Sequence, residues 1–263
     1  MSEHAVLYHV ENGVATITLN RPDLHNAFND HVIAELTEKF QAAGGDVLVR
    51  AVVLRGNGKS FSAGGDLNWM RRMADYTYDE NVEDAMQLGI LLKTINMLPK
   101  PTIALVQGNA FGGGVGLTAC CDIAIAEEGT QFCLSEVRIG LIPSIIAPYV
   151  MAAIGQRQAR RYFMTAERFD AATAKDIGLV HDVCEKGALD AAADKILKSI
   201  MDGAPDAQRR GKELILSIAN RPLDDGMIRH TVEQIAEARA SDEGKDGLSA
   251  FLNKTEPMWR KKA

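Results

Sequence analysis

Two stretches of this 263-residue chain follow one plan. Val53–Leu67 (VLRGNGKSFSAGGDL) and Ala104–Leu117 (ALVQGNAFGGGVGL) each read as apolar strand, Gly-Asn pair, aromatic residue, glycine cluster and helix start. Gly56 and Gly108 lie 52 positions apart, so the plan is a loose repeat of a strand–loop–helix unit. A chain built this way is α/β, and similar loops at the same end of successive strands are placed to converge on one site.

Other elements fit around that repeat. Ala15–Asn20 alternates as a strand and stops at Arg21-Pro22. Val32, Ile33, Leu36 and Phe40 share a helical face that ends at Gly44-Gly45. Short strands are predicted at Ala51–Leu54, Thr102–Val106, Ile123–Ala126, Gln131–Leu134 and Leu179–Val183, with a helix ending before Pro99. Beyond about Leu189 the strand signals vanish. Lys195–Met201, Gln208–Ala219, Asp224–Ala240 and Lys245–Asn253 read as helices set apart by Pro205, Pro222 and Gly244. The expected organisation is a mixed core over residues 1–195 and a helical segment over residues 196–263.

Composition narrows the function classes. Apolar residues are 46% and charged residues 24%, as in a globular protein, which excludes a disordered or collagen-like chain. Lys plus Arg is 29 against Asp plus Glu 35, a net charge of −6, so the basic footprint of a nucleic-acid binder is missing. Thr102–Cys121 has no charged residue, but Gln107, Asn109 and five glycines break it as a membrane span. No membrane association is expected. The opening MSEHAVLYHV has no basic n-region before an apolar stretch, so no secretory leader is expected. Cys120, Cys121, Cys133 and Cys184 form no Cys-x-x-Cys pair, which fits reduced thiols and a cytoplasmic location.

Several motifs fail on inspection. Gly56-Asn57-Gly58-Lys59-Ser60 resembles the tail of a P-loop, yet Val53 stands where that loop needs its first glycine. Gly114-Val115-Gly116-Leu117-Thr118-Ala119 matches GxGxxA in form, but Gly108–Gly113 separate it from the preceding strand. There is no GxSxG elbow and no helix-face histidine pair, so neither a serine hydrolase nor a metal site is expected.

The glycine loops admit two readings. They permit tight turns and close packing, or they bring two N–H groups to one oxygen that becomes negative during reaction. Glu136, after a strand-like run and before the apolar stretch ending at Pro143, is likewise open. It is an ion-pair partner of Arg138 or a solvated turn residue, or else an acid–base group tuned by apolar surroundings.

Longer motifs carry a resemblance. Leu19-Asn20-Arg21-Pro22 with Asn26-Ala27, then Phe61–Leu67, Gly108–Leu117, Cys121-Asp122 and Phe132–Pro143 resemble, in order, the crotonase (enoyl-CoA hydratase/isomerase) superfamily. The resemblance implies a spiral of ββα units with a C-terminal helical segment that builds homotrimers, often paired into homohexamers. It implies an acyl-CoA thioester substrate, with coenzyme A part of that substrate and no separate cofactor. By motif position the enolate-holding amides are Gly65 and Gly113, and Glu136 moves protons. Ala63, Asp66 and Leu67 lie along the CoA or the reacting acyl group, and Asp23, Leu24 and His25 fall where the CoA nucleotide usually rests. Asp66 also reads as the N-cap of the helix that follows, the simpler role.

One departure matters. Typical hydratases of the superfamily carry a glutamate at the position of Gly116 as well as at Glu136. With Gly116 there, one carboxylate remains. It serves hydration if the addition is syn, handing on the proton it took, and it suffices for a Δ3,Δ2-enoyl-CoA isomerase. Gly116, counted with the substrate-binding residues, is where a restored glutamate is expected to raise hydration. Asn68–Met73 and the Gly108–Ala126 loop most resemble bacterial methylglutaconyl-CoA hydratases of leucine degradation. That implies a branched acyl group with a distal carboxylate, for which Arg71, Arg72 or Arg138 are candidate partners. Arg71 and Arg72 read equally as a solvated helix face or as contacts of the CoA phosphates, and Trp69 and Met70 read as acyl-pocket lining or as core. The expected function is an enoyl-CoA hydratase, a lyase of fatty-acid-type metabolism. The alternatives are the isomerase and a non-catalytic acyl-CoA- or RNA-binding member, the latter disfavoured by the net charge.

Overall fold

The computed structural model describes residues 4–260. In chain order its elements begin with β1 (Val6–Glu11), β2 (Val14–Leu19), α1 (Asp30–Gly45), β3 (Ala51–Gly56), α2 (Leu67–Met73) and α3 (Tyr78–Asn96). Next come β4 (Thr102–Val106), β5 (Asn109–Phe111), α4 (Gly113–Cys120), β6 (Ile123–Glu127) and β7 (Gln131–Cys133). A 3-10 turn at Glu136–Ile139 leads into α5 (Ala147–Thr165), β8 (Phe169–Asp170), α6 (Ala171–Asp176) and β9 (Asp182–Cys184). The remainder is helical: α7 (Leu189–Asp202), α8 (Pro205–Ile218), α9 (Asp225–Ala240) and α10 (Asp242–Asn253).

Among the described residues two sheets form. The larger has the order β1-β2-β3-β4-β6-β9, and the smaller β5-β7-β8. Only the β1–β2 hairpin of the larger sheet is antiparallel; β2, β3, β4, β6 and β9 run parallel. All five residues of β4 are buried, as expected for a parallel strand covered on both faces. β4 and β6 lie in the large sheet, and each is followed at once by a strand, β5 or β7, of the small sheet. Each turn of the chain thus lays one strand in each layer. The segment after β3 joins in through a bridge between Ser62 and Ala110, next to β5.

Local chemistry sets the helix ends. The Asn29 side chain accepts the Val32 N–H at the start of α1, whose Val32, Ile33, Leu36 and Phe40 face the core. Thr77 and Glu80 make a reciprocal capping box on α3. Leu91, Leu92 and Ile95 of α3 enter the same core as Leu54, Val106 and Phe132.

Most expected strands appear, with corrections. The strand read at Leu179–Val183 is β9, three residues long, because Leu179 and Val180 bond back to Ala174 and only Asp182–Cys184 pair with β6. β1 and α5 carried no sequence expectation. Two compact units are present. One takes the chain as far as Leu98 and Thr102–Asp194; the other takes Pro99–Pro101 and the chain from Lys195 onward.

Candidate active site

A cavity of about 430 Å³ opens in the first unit, and both glycine loops border it. The loops meet because Ser62 donates its N–H to Asn109 O and accepts from Phe111 N, a two-bond ladder between the repeats. Gly64 adopts φ +87, and a Cβ there would stand 2.8 Å from Phe111 O, so this crossing needs glycine. Phe28 donates to Gly64 O and accepts from Asp66 N, which leaves the Gly65 N–H out of that ladder. Gly113 opens α4, where the first N–H groups of a helix have no acceptor one turn behind. Gly65 and Gly113 both line the cavity.

Glu136 lines the same cavity from the turn after β7. One carboxylate oxygen, Oε2, is buried and has no hydrogen-bond partner. Burial pushes the carboxyl above its ordinary value, and a bond from its own backbone N–H only partly offsets this. No ion pair joins it to Arg138, whose Nη2 donates to Ala166 O at 2.6 Å. Between the two sequence readings of Glu136, the structure selects the desolvated carboxylate.

Around these groups the wall is apolar. Phe28, Trp69, Met70, Met73, Leu88, Ile139, Leu141, Ile142 and Ile146 provide it, together with Ala63 and Leu67. Asp66 takes the simpler role. Its carboxylate caps α2 by accepting the Asn68 and Trp69 N–H groups at 2.8 and 3.3 Å, and it pairs with Arg21 at 2.9 Å. Burial alone would raise this carboxyl, but the Asn68 N–H, the Arg21 guanidinium and the Trp69 N–H hold it below its ordinary value.

Several expected residues stand elsewhere. Gly116 is buried in α4 and does not line the cavity; a Cβ there would overlap Ile146 Cγ2 and stand 2.9 Å from Ile146 Cβ. Ile146 therefore fills the room that a glutamate side chain at position 116 would need, and the expected gain from restoring that carboxylate is withdrawn. Neither Arg71 nor Arg72 reaches the cavity. Arg71 bonds Asn68 at 2.7 Å and Arg72 pairs with Asp30 at 2.6 Å, both exposed. Asp23 and Leu24 sit on an exposed turn with His25, whose Nδ1 lies 3.1 Å from Ser60 Oγ, away from the cavity wall. Sequence reasoning missed Phe28, Ile146 and Asp84. Asp84 lines the cavity, and its Oδ1 accepts the Trp69 Nε1–H at 2.9 Å. Its only sequence signal was a place one helical turn beyond Asn81, another wall residue.

Among the described residues no cluster of three metal-ligating side chains occurs, and no helix is long and apolar enough to cross a membrane.

Comparison with known proteins places this geometry. The family model for enoyl-CoA hydratase/isomerase matches residues 9–262. The short-chain-enoyl-CoA hydratase of Clostridium acetobutylicum is 32% identical, over 97% of each chain. The trans-2-decenoyl-(acyl-carrier-protein) isomerase of Streptococcus mutans is 30% identical, again over 97% of each. The crystal structure of an enoyl-CoA hydratase from Shewanella pealeana superposes with a TM-score of 0.95 at 44% identity, covering 97% of this chain and 96% of that one.

Proposed function

The chain belongs to the enoyl-CoA hydratase/isomerase (crotonase) family, and on that premise we propose that it hydrates a branched 2-enoyl-CoA with Glu136 as its one acid–base group. The observation that carries this reading is the buried, unpartnered Glu136 Oε2 in an apolar cavity that also holds Gly65 and Gly113. Glu136 takes a proton from water as the hydroxyl adds to C3. Electrons move to the thioester oxygen, and the two amides stabilise the resulting enolate. The same carboxylic acid then returns its proton to C2 on the same face. Only water and a proton are exchanged, so the scheme calls for no redox or metal cofactor.

The acyl group we assign carries a distal carboxylate. Its support is the resemblance of Asn68–Met73 to methylglutaconyl-CoA hydratases. Among the described residues no Lys, Arg or His lines the cavity, so this assignment stands on that resemblance and on no cation of the cavity wall. A second reading, Δ3,Δ2-enoyl-CoA isomerase, is favoured by one specific observation: Ile146 packs on Gly116 and the cavity's other carboxylate, Asp84, is bonded to the Trp69 indole, so among the described residues Glu136 alone offers a buried, unpartnered carboxylate oxygen there.

Mass spectrometry of enoyl-CoAs incubated in heavy water separates these readings. The panel is 3-methylglutaconyl-CoA, its uncharged counterpart 3-methylcrotonyl-CoA, crotonyl-CoA and a 3-enoyl-CoA. Addition of one heavy-water mass, fastest with 3-methylglutaconyl-CoA, is the expected result. Equal rates with the uncharged counterpart overturn the carboxylate assignment. A shifted double bond with deuterium uptake and no added water establishes the isomerase instead.

A further inference from the structure

Asp84 is a carboxylate on an otherwise largely apolar wall, and neither scheme above uses it. Its Oδ1 accepts the indole N–H of Trp69, a buried residue of α2, at 2.9 Å. Trp69 in turn packs on Phe28, with ring centroids 6.4 Å apart and planes tilted by 49°. These two rings stand against the two donor glycines. Trp69 Cε3 lies 3.8 Å from where a Cβ on Gly65 would be, beside Met70 Cγ and Sδ at 3.7 Å, and the Phe28 ring tip fills the corresponding place on Gly113. The Phe28 backbone also brackets Gly65 through its bonds to Gly64 O and Asp66 N.

We propose that Asp84 is a positioning residue: by holding the Trp69 indole it fixes the Trp69–Phe28 pair, and through that pair the separation of the Gly65 and Gly113 amides. This inference rests on the enolate-stabilising role assigned to those amides. A small shift of either donor weakens stabilisation of the transition state more than binding of the thioester, because the charge on the oxygen develops only during reaction. The part of Asp84 that matters is its acceptor oxygen, not its charge.

The test compares Asp84→Asn, Asp84→Leu, Trp69→Phe and the Asp84→Leu/Trp69→Phe double variant, with wild type and Glu136→Gln beside them. Thermal melts confirm folding of each. Asp84→Leu and Trp69→Phe are each expected to lower kcat about tenfold with KM within about twofold. The double variant is expected to lose no more than either single one, since both cut the same bond. Asp84→Asn keeps an acceptor and is expected to hold kcat within about threefold of wild type. Loss in Asp84→Asn equal to that in Asp84→Leu overturns the proposal and assigns Asp84 a role through its charge. Wild-type kcat in Asp84→Leu, additive losses in the double variant, or a fall confined to KM also overturn it. Wild-type turnover that survives Glu136→Gln, or no wild-type turnover on any enoyl-CoA, is a different outcome: it removes the underlying reading, and the inference with it.

Discussion

Glu136 shows how one residue couples stability to chemistry. Burial raises its carboxyl above the ordinary value, so the folded state holds that proton more tightly than the unfolded chain does. The unfolded chain releases the proton near pH 4.3, the ordinary glutamate value, to within about a unit. Stability therefore falls as pH rises from that value through the raised folded one, and no penalty remains below it. Glu136→Gln removes the penalty. Denaturant melts are expected to show the variant more stable than wild type at neutral pH, with the gap closing below about pH 4. The same substitution is expected to cut kcat by about 10²–10⁴-fold while thioester affinity stays near wild type. In the wild type, kcat/KM is expected to fall on the acid side around a midpoint above the ordinary carboxylate value, because the ionised form must act as base.

At the scale of elements, the contact between α4 and the start of α5 explains why position 116 carries no carboxylate. Gly116 presents a bare backbone to Ile146, the residue at the N-terminal boundary of α5, so the two helices approach more closely than any side chain at 116 allows. Gly116→Ala is expected to destabilise the fold by about 1–3 kcal/mol through overpacking. Adding Ile146→Ala to it is expected to recover part of that loss, read as a coupling between the two variants in chemical denaturation. Additive losses would show that the cost of the methyl group does not arise at Ile146. The glycine loops were legible beforehand because strand, Gly-Asn, aromatic and glycine cluster recur in order. The Gly116–Ile146 contact was not, since 30 positions of sequence separate two residues that only the packing of helices brings together.

For the whole molecule, we propose a homotrimer or a pair of trimers built through the helical unit. That unit exposes Ile215, Leu223, Phe251 and Leu252, all more than 60% accessible in the single chain. They lie on α8, on the α8–α9 connection and on α10, and large apolar side chains left in water mark a surface suited to burial. Sedimentation or light scattering is expected to give three or six times the 28.5 kDa chain mass. Phe251→Glu is expected to shift the population toward smaller species; a wild-type monomer at micromolar concentration would end the proposal.

What the sequence alone determined was whatever depends on local order: the repeated strand–loop–helix plan, the cap role of Asp66, the helical C-terminal third, and the crotonase motifs with Gly65, Gly113 and Glu136. Each of these is written in neighbouring residues, where periodicity, capping and glycine clusters act over a few positions. The tertiary structure decided the rest. It put Arg71 and Arg72 on an exposed surface and bonded Arg138 to Ala166 O, away from the cavity wall. It also filled the room beside Gly116 with Ile146 and brought Asp84 to the indole of Trp69. These are contacts between residues distant in the chain. Close packing of helices and sheets fixes such contacts, and no local pattern encodes them.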